Sequence, residues 1–419
     1  MIKAGLNYRK YLSALLYVVL SFQLFGQFSE DSLIHFEVQG NDTDPLIILD
    51  GSKKHQVFYN PTSQNQGTLL LHMVGSIDNP NSTILYPSVA ANNGFHCISL
   101  AYRNGVSGQS ACGNIPDSDC HLNYRKEIIE GIDYSSEVNV NNANSIDNRL
   151  IKLLQYLDAN YPSQNWSQYL SGNSVNWDKL IVSGHSQGGG HAAVIGITKP
   201  VQRVLMFGSP NDYSDTLLTL ANWTQLPHLV ADSNYYSFNA LYDEVIEFWK
   251  QYAHSDALNL DNYGDTVNVD IVPSPFNASR QLYTKEIVTS PNPFELTHDV
   301  MIRDAETPLD GQGNPVFECA WKYMLGVECG LNYTEELGAF PFQLYPNPAR
   351  DEIHVKSKNS LLGEVNICIL DVLGRERMTD TISSDKSIIN IQQLPQGVYT
   401  ILLLQQGKPV GSERLIKYY

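Results

Sequence analysis

Residues 178–191, which read D-K-L-I-V-S-G-H-S-Q-G-G-G-H, constrain the fold of this chain more than any other segment. The apolar run 180–182 predicts a buried strand, and the small residues that follow predict a helix. Ser186 lies at the turn between them. A side chain at Gly184 or Gly188 would collide with the neighbouring strand or helix, so glycine is needed at both positions. The pattern predicts a strained turn that exposes the Ser186 hydroxyl above the edge of a sheet.

Apolar runs that suit strands buried on both faces alternate with helical patterns along most of the chain. The predicted buried strands are 69–74, 95–102, 180–182, 203–207, 235–242 and 279–289, and shorter alternating runs at 35–38, 46–49 and 57–59 predict early antiparallel strands. Helices between them, such as the leucine-rich one that Ser145 caps, would cover both faces. The fold class is therefore α/β, with a doubly wound, mostly parallel sheet.

Residues 103–144 form a long polar insert in this pattern, rich in Gly, Ser, Asn and Asp. An insert of that length is typical of a functional wall, a lid or a disordered segment. We expect it to border the site together with the loop 212–227, which contains Trp223.

The N-terminus predicts export. Lys3, Arg9 and Lys10 precede an apolar run that ends near Phe25, which indicates a signal peptide over residues 1–26. No later run is long enough to span a bilayer, so no transmembrane segment is expected in the mature chain. The net charge of −17 leaves no basic surface for phosphates and argues against a nucleic-acid partner.

The six cysteines fit an oxidising compartment. Spacing allows two local disulfides, and strand-like surroundings predict two buried thiols: the pairs are Cys112 with Cys120 and Cys319 with Cys329, and the thiols are Cys97 and Cys368. None shows the C-x-x-C spacing of a zinc site. Neither a metal nor an organic cofactor is implied.

A serine becomes a nucleophile at neutral pH only with a base in reach and a carboxylate to orient that base. Asp243 ends the strand run 235–242, where an acid would be presented. Glu244 and Asp265 are the alternatives. For the base we favour His298, on the loop after the last predicted strand, over His254, which falls within a helix.

An oxyanion needs preorganised donors. One would be the backbone N–H of Gln187, directly after the nucleophile, and the second would come from Gly75 or Ser76 after the strand 69–74. Other histidines near the turn are predicted to have structural roles: His185 and His191 would pack, and His72 would line the pocket or close its strand.

Over residues 32–332 the chain resembles the α/β-hydrolase superfamily, of the lipase or esterase kind. The resemblance rests on Gly184-His185-Ser186-Gln187-Gly188 and on the order Ser186, Asp243, His298. It implies that these three are the catalytic triad and that Gln187 and the Gly75 region form the oxyanion hole. The H-G-G-G oxyanion loop of many members is absent, and His72-Met73-Val74-Gly75-Ser76 stands in its place.

From about Gly338 the composition changes to short alternating strands, which predicts a small all-β sandwich over residues 340–419. This module resembles the C-terminal sorting domain of type IX secretion substrates. The matching motifs are Leu344-Tyr345-Pro346-Asn347-Pro348, Asp371-Val372-Leu373-Gly374-Arg375 and Leu394-Pro395-Gln396-Gly397-Val398-Tyr399. The resemblance implies export by the type IX machinery, removal of the module, and release or attachment at the cell surface.

The leading hypothesis is a secreted serine hydrolase, with its catalytic domain at residues 28–335, acting on a small or lipid-like carboxylic ester through an acyl-enzyme on Ser186. A serine peptidase of the same fold is the second hypothesis. A non-catalytic surface-binding protein that retains the fold is the third.

Overall fold

The structure is a computed structural model that describes residues 32–290, 292–329, 342–357, 365–371, 375–382, 386–405 and 408–418. The predicted signal peptide (1–26), the composition change near Gly338 and the predicted turn at Leu373-Gly374 lie outside the described residues. The part through residue 329 has α/β architecture. The described residues from 342 onward contain strands and no helix.

A nine-stranded mixed sheet forms the centre of the α/β part. Its strands are β1 (Ile34–Val38), β2 (His55–Tyr59), β3 (Leu69–Met73), β4 (His96–Ser99), β5 (Leu180–His185), β6 (Arg203–Phe207), β7 (Tyr235–Ala240), β8 (Val267–Asn268) and β9 (Gln281–Thr284). Their order across the sheet is β1-β2-β4-β3-β5-β6-β7-β9-β8. The pairs β1–β2 and β2–β4 are antiparallel, and every pair from β4 to β8 is parallel.

Helices cover both faces of this sheet. They are α1 (Gly40–Thr43), α2 (Leu85–Asn92), α3 (Gly108–Cys112), α4 (Cys120–Glu130), α5 (Ile146–Asn160), α6 (Gln187–Thr198), α7 (Phe248–Ala257) and α8 (Glu318–Leu325). Side chains of α4, α5 and α6 share one hydrophobic core with Leu69, Leu71 and Met73 of β3. Side chains of α2 and α8 share the other core with Leu70. The alternation along β3 explains its continuous apolar sequence, because both of its faces are buried.

Shorter elements complete the α/β part. Two small antiparallel ladders pair Leu170–Ser171 with Ser174–Val175 and Tyr213–Ser214 with Thr219–Leu220. Single 3₁₀ turns occur at Pro80–Ser82, Asn142–Asn144, Pro162–Gln164, Trp166–Tyr169, Trp177–Lys179, Asn222–Gln225, Asp232–Asn234, Leu260–Tyr263, Phe276–Ala278 and Thr297–Asp299. No helix among the described residues is long and apolar enough to cross a membrane.

The all-β region consists of two antiparallel sheets. Its strands are β10 (Phe342–Tyr345), β11 (Glu352–Ser357), β12 (Val365–Asp371), β13 (Glu376–Ile382), β14 (Lys386–Asn390), β15 (Gly397–Gln405) and β16 (Lys408–Lys417). They are arranged as β10-β11-β14 and β13-β12-β15-β16. One core joins the two sheets, with Ile353 and Ile389 from the first packed among Ile367, Ile401 and Leu415 from the second.

Two strand predictions are wrong in detail. Residues 46–49 form no strand, because they lie on and after a turn where Asp44 accepts a hydrogen bond from the backbone N–H of Leu46; Ile47 is buried and the other three side chains are exposed. The strand predicted over 279–289 is confined to β9, and the two-residue edge strand β8 had no sequence signal of its own.

The polar insert is ordered. It contains α3 and α4, which the predicted disulfide Cys112–Cys120 joins, and the predicted Cys319–Cys329 disulfide is also present. The buried Glu127 carboxylate accepts hydrogen bonds from the backbone N–H groups of Tyr134, Ser135 and Val140 at 3.0, 2.9 and 2.9 Å. In the loop after α4, the Glu127 side chain therefore supplies the hydrogen-bond acceptors that secondary structure would otherwise provide for these N–H groups.

Replacing Glu127 by alanine should lower the free energy of unfolding by about 2–4 kcal/mol, because three buried N–H groups lose a charged acceptor. Chemical denaturation measures the change. The exposed Glu137, ten residues along the same segment, is the matched control, and its alanine variant should stay within about 0.5 kcal/mol of wild type. Equal losses in the two variants would contradict this account of the insert.

Candidate functional site

Ser186 occupies the turn between β5 and α6 with backbone angles of φ 51° and ψ −116°. A non-glycine residue reaches this region only when its surroundings hold it there. The surroundings do so here, since the Ser186 N–H donates to the carbonyl of Phe207 at 2.8 Å and its carbonyl accepts from Gly189 and Gly190 in the first turn of α6. The serine side chain is partly exposed within an otherwise buried segment.

The two glycines of the motif are at close backbone approaches, as the sequence predicts. A Cβ on Gly184 would lie 2.1 Å from the carbonyl carbon of Gly188, and a Cβ on Gly188 would lie 2.0 Å from the carbonyl oxygen of Met73. These neighbours are backbone atoms and cannot move aside. The contact brings the start of α6 directly against the end of β3.

Asp243 and His298 form a hydrogen bond at 2.6 Å, between Oδ2 of the carboxylate and Nδ1 of the imidazole. Asp243 follows β7 and His298 lies on the 3₁₀ turn Thr297–Asp299 after β9. The Asp243 carboxylate also accepts from the N–H groups of Val245 and Ile246 and from the amide of Gln251. It is fully buried, so these donors fix its orientation.

Charges around His298 decide its protonation. Burial alone would lower the pKa of His298, but the hydrogen bond and charge of Asp243, with the charges of Asp299 and Glu244, outweigh burial and raise it. Burial would raise the pKa of Asp243, and the same pairing with His298 keeps it below its usual value. The other ring nitrogen of His298, Nε2, is buried and has no hydrogen-bond partner among the described residues.

Ser186 and His298 line the same cleft, which has a volume of about 680 Å³. A Cβ on Gly208, the residue after Phe207, would lie 3.2 Å from Cε1 of the His298 ring. The Ser186 N–H donates to the Phe207 carbonyl, so the serine and the imidazole lie beside two consecutive residues, Phe207 and Gly208.

The predicted oxyanion residues Gly75, Ser76 and Gln187 also line this cleft. A Cβ on Gly75 would lie 3.3 Å from Cβ of Ser186. The Ser76 hydroxyl donates to the side-chain oxygen of Gln187 at 2.5 Å. The Gly75 carbonyl accepts from the Asn104 amide at 2.7 Å, which fixes the orientation of the peptide between Gly75 and Ser76.

The alternative candidates for the acid and the base have other surroundings. Glu244 accepts from the backbone N–H groups of Thr297 and His298 at 2.8 and 3.1 Å, so it anchors the histidine turn. Asp265 is exposed. His254 is buried in α7, where its ring contacts the backbone of Lys250 and Asp212.

The remaining histidines near the turn have structural contacts. His185 Nε2 donates to the His298 carbonyl at 3.1 Å, and burial followed by the nearby His298 lowers the pKa of His185 to about 4. His191 packs between Tyr102 and Tyr124. His72 does not line the cleft, because it lies inside the sheet with Nδ1 2.9 Å from the Ser183 hydroxyl.

One group of possible metal ligands occurs among the described residues: His185, His298 and Asp299, with ligand atoms within 4.8 Å of one another. Each member already has a partner. Asp299 pairs with Arg303 at 2.8 Å, His298 with Asp243, and His185 with the His298 carbonyl. Hydrogen bonding accounts for the arrangement.

Sequence reasoning missed a buried ion pair between Arg125 and Asp212, two residues of the cleft that Ser186 lines. Arg125 of α4 donates through Nε and Nη2 to Asp212 at 2.5 Å, and through Nη1 to the Gln187 carbonyl at 3.0 Å. Through Arg125, the polar insert therefore binds Gln187, the first residue of α6. Trp223, predicted to wall the pocket, is instead fully buried and donates to Asp212 at 2.8 Å.

The cleft lining is mixed, with its polar and apolar residues unevenly distributed. The segments after Asp243 and before His298 supply apolar residues, namely Val245, Ile246, Pro293, Phe294 and Leu296. The insert and the loop after β6 supply mainly polar or charged ones, namely Ser107, Gln109, Ser110, Arg125, Asn211 and Asp212, together with the apolar Val106. The lining also includes Ile77 and Asp78 after β3, and Asp299 and Arg303 after His298. A ligand with one apolar and one polar end would match this lining.

Comparison with known families identifies the end of the chain. Residues 343–418 match the model of a family described as a secretion system C-terminal sorting domain. This is the all-β region β10–β16, so the type IX sorting module predicted from its motifs is confirmed. The chain is therefore secreted or attached to the cell surface, and it interacts with the secretion machinery. No curated protein matches the chain.

Gly188→Ala should lower the free energy of unfolding by about 3 kcal/mol, the upper end of the usual cost of overpacking, because the new methyl group would overlap the backbone of Met73. Thermal and chemical denaturation measure the loss. Gly311→Ala is the matched control, since a Cβ there meets no atom within 4 Å. Equal stability of the two variants would contradict the tight contact between α6 and β3.

Proposed function

We propose that this chain is a secreted serine hydrolase of the α/β-hydrolase superfamily, and that it cleaves carboxylic esters through an acyl-enzyme on Ser186. The observation that carries the proposal is the 2.6 Å hydrogen bond between Asp243 and His298, with the free Nε2 of that histidine in the same cleft as a serine held at φ 51°. A base oriented by a carboxylate is what a serine hydroxyl needs in order to attack a carbonyl.

In the first step, His298 Nε2 takes the Ser186 proton while Oγ bonds to the ester carbonyl carbon. The tetrahedral intermediate collapses, the carbon–oxygen bond to the alcohol breaks, and His298 returns the proton to the leaving alcohol. Water then attacks the acyl-enzyme with His298 as base, which releases the carboxylic acid and restores Ser186. Asp243 stays ionised and stabilises the imidazolium that forms in each half-reaction.

Two backbone N–H groups would hold the oxyanion. Gln187 supplies the first from the N-terminus of α6, where the helix dipole favours negative charge. For the second, the peptide geometry favours Ser76 over Gly75. The Gly75 carbonyl points to the buried Asn104, and in a trans peptide the Ser76 N–H points the opposite way. The Ser76 hydroxyl also ties this loop to Gln187.

The apolar residues beside Asp243 and His298 favour an apolar group on the substrate. Each further methylene that enters such a surface contributes about 0.8 kcal/mol, or roughly a fourfold gain in kcat/KM, until the cleft is filled. The polar residues from the insert suit the other end of the ester.

A fluorophosphonate should label Ser186 in wild-type protein and should not label Ser186→Ala. Labelling should persist in Ser136→Ala, which removes an exposed serine of the insert. Nitrophenyl esters of increasing chain length and the matching nitroanilides then compare ester with amide turnover. Preferential ester turnover supports the proposal. Faster anilide turnover would favour a peptidase, and a folded protein that is neither labelled nor active would point to a binding protein.

The pH profile tests the role of Asp243. His298 must be neutral to accept a proton, so kcat/KM should fall as the pH drops through its raised pKa. Asp243→Asn removes the charge that raises this pKa, so the acidic limb should move to lower pH while the maximal rate drops by about 10³–10⁴-fold. Asp265→Asn, at an exposed site, should leave the profile unchanged. An unmoved acidic limb in Asp243→Asn would contradict the assignment.

A further inference from the structure

A second cleft, of about 570 Å³, lies at the amino ends of the sheet strands, whereas Ser186 lies at their carboxyl ends. Arg203 begins β6, Tyr236 is the second residue of β7, and Arg280 directly precedes β9, so all three line the cleft at the amino ends of parallel strands. The residues of the candidate active site follow the carboxyl ends of the sheet strands. We call this second cavity the arginine cleft, defined by Arg203, Tyr236, Arg280 and Tyr323.

The two guanidinium groups of the arginine cleft share one aromatic ring. Arg203 lies 5.2 Å and Arg280 4.6 Å from the centre of the Tyr236 ring, so the two charges are within about 10 Å of each other. That upper bound is close to the Debye length of about 8 Å at physiological ionic strength, so salt screens part of the repulsion between the two cations and a part of it remains. The ring itself offsets part of the repulsion through cation–π attraction.

Neither arginine has a carboxylate partner within 4.0 Å among the described residues. Arg125 and Arg303, by contrast, are both paired with aspartates. The acidic residue that lines the arginine cleft, Glu328, is exposed and forms no ion pair with either arginine in the part of the chain that the structure describes.

The arginines are held in place by neutral acceptors, which leaves donors free. Arg203 Nη1 donates to the Tyr236 hydroxyl at 2.8 Å and to the Met324 carbonyl at 3.2 Å. Arg280 donates through Nε to the Ser233 carbonyl at 2.6 Å and through Nη1 to the Ala278 carbonyl and the Tyr323 hydroxyl at 2.7 and 3.1 Å. Within the described residues, Nη2 of each arginine and the hydroxyl proton of Tyr236 have no acceptor.

Gly326 and a disulfide shape the wall of the arginine cleft. A Cβ on Gly326 would lie 2.6 Å from Nη2 of Arg203, so a side chain there would displace the guanidinium from its present position. Gly326 has φ 81°, a conformation that also favours glycine. The disulfide Cys319–Cys329 joins the cleft-lining segment after Gly326 to α8.

We infer that the arginine cleft binds the oxyanion group, a carboxylate or a phosphoryl group, of a small organic molecule. Guanidinium forks match the paired oxygens of both groups, and a bound anion would relieve the repulsion between the two cations. The cavity is larger than a bare phosphate needs, and its tyrosine and proline side chains can pack against the rest of the ligand. The site is separate from Ser186, so it does not depend on the proposed ester hydrolysis.

Calorimetric titration of the full chain with inorganic phosphate and with citrate, at constant ionic strength set by sodium chloride, tests this inference. At least one of the two should bind with a dissociation constant of about 1 mM or lower. Tighter phosphate binding would assign a phosphoryl ligand, and tighter citrate binding a carboxylate ligand. Failure of both anions to bind beyond the chloride reference would overturn the inference.

The variant Arg203→Gln, Arg280→Gln should weaken binding at least tenfold. The control variant Arg103→Gln, Arg350→Gln removes the same charge elsewhere and should bind as wild type. An equal loss of affinity in both variants would show that the effect comes from net charge alone and would overturn the proposed site. Chemical modification of wild-type protein tests the same inference and does not depend on whether a variant folds. Phenylglyoxal modifies arginines, and a bound anion should protect Arg203 and Arg280 from it. Modification of both arginines at the same rate with and without anion would contradict the inference.

Discussion

The close contact between α6 and β3 is the constraint on which the site depends. Because Gly188 has no side chain, the first turn of α6 can lie against the Met73 carbonyl, and the chain must turn sharply at Ser186 to reach that position. The same contact brings Gly75 and Ser76, at the end of β3, beside the serine. A single backbone approach therefore sets both the exposure of the hydroxyl and the location of its neighbouring N–H donors.

Hydrogen bonds and nearby charges fix the position of His298 and shift its pKa. His298 is held on three sides: Asp243 binds its ring, Glu244 accepts from its N–H, and His185 donates to its carbonyl. The carboxylates around it raise its pKa even though it is buried, so they favour the protonated imidazole more than burial disfavours it. The low pKa of His185 keeps that second imidazole neutral, so it adds no positive charge beside His298.

Much of the sheet could be predicted because its strands are buried on both faces, and such strands have unbroken apolar sequences. Segments 69–74 and 203–207 are of this kind. Residues 46–49 are apolar and predict a strand, but they lie on and after a turn. The edge strand β8 could not be predicted, because its two residues, although both are buried, are too few to show a periodicity. The order Ser186, Asp243, His298 led to residues that the structure brings together, since each follows a strand of the same sheet: Ser186 and His298 line one cleft, and Asp243 binds the His298 ring.

The supporting residues could not be predicted for a different reason. Arg125 and Asp212 are 87 positions apart, and Asn104 lies 29 positions from Gly75. Nothing in the composition of a polar insert indicates that one of its arginines will be buried against the first residue of α6. The arginine cleft escaped notice in the same way, because Arg203 and Arg280 are isolated charges until the fold places them on one ring.

The most direct test of the central claim is a crystal structure of the protein after reaction with a phosphonate ester. The account predicts a covalent bond from Ser186 Oγ to phosphorus, with the phosphonyl oxygen about 2.7–3.1 Å from the N–H groups of Gln187 and Ser76 and His298 Nε2 within hydrogen-bond reach of the adduct. A phosphonate bound to another residue, or an adduct on Ser186 whose phosphonyl oxygen faces neither N–H group, would contradict it.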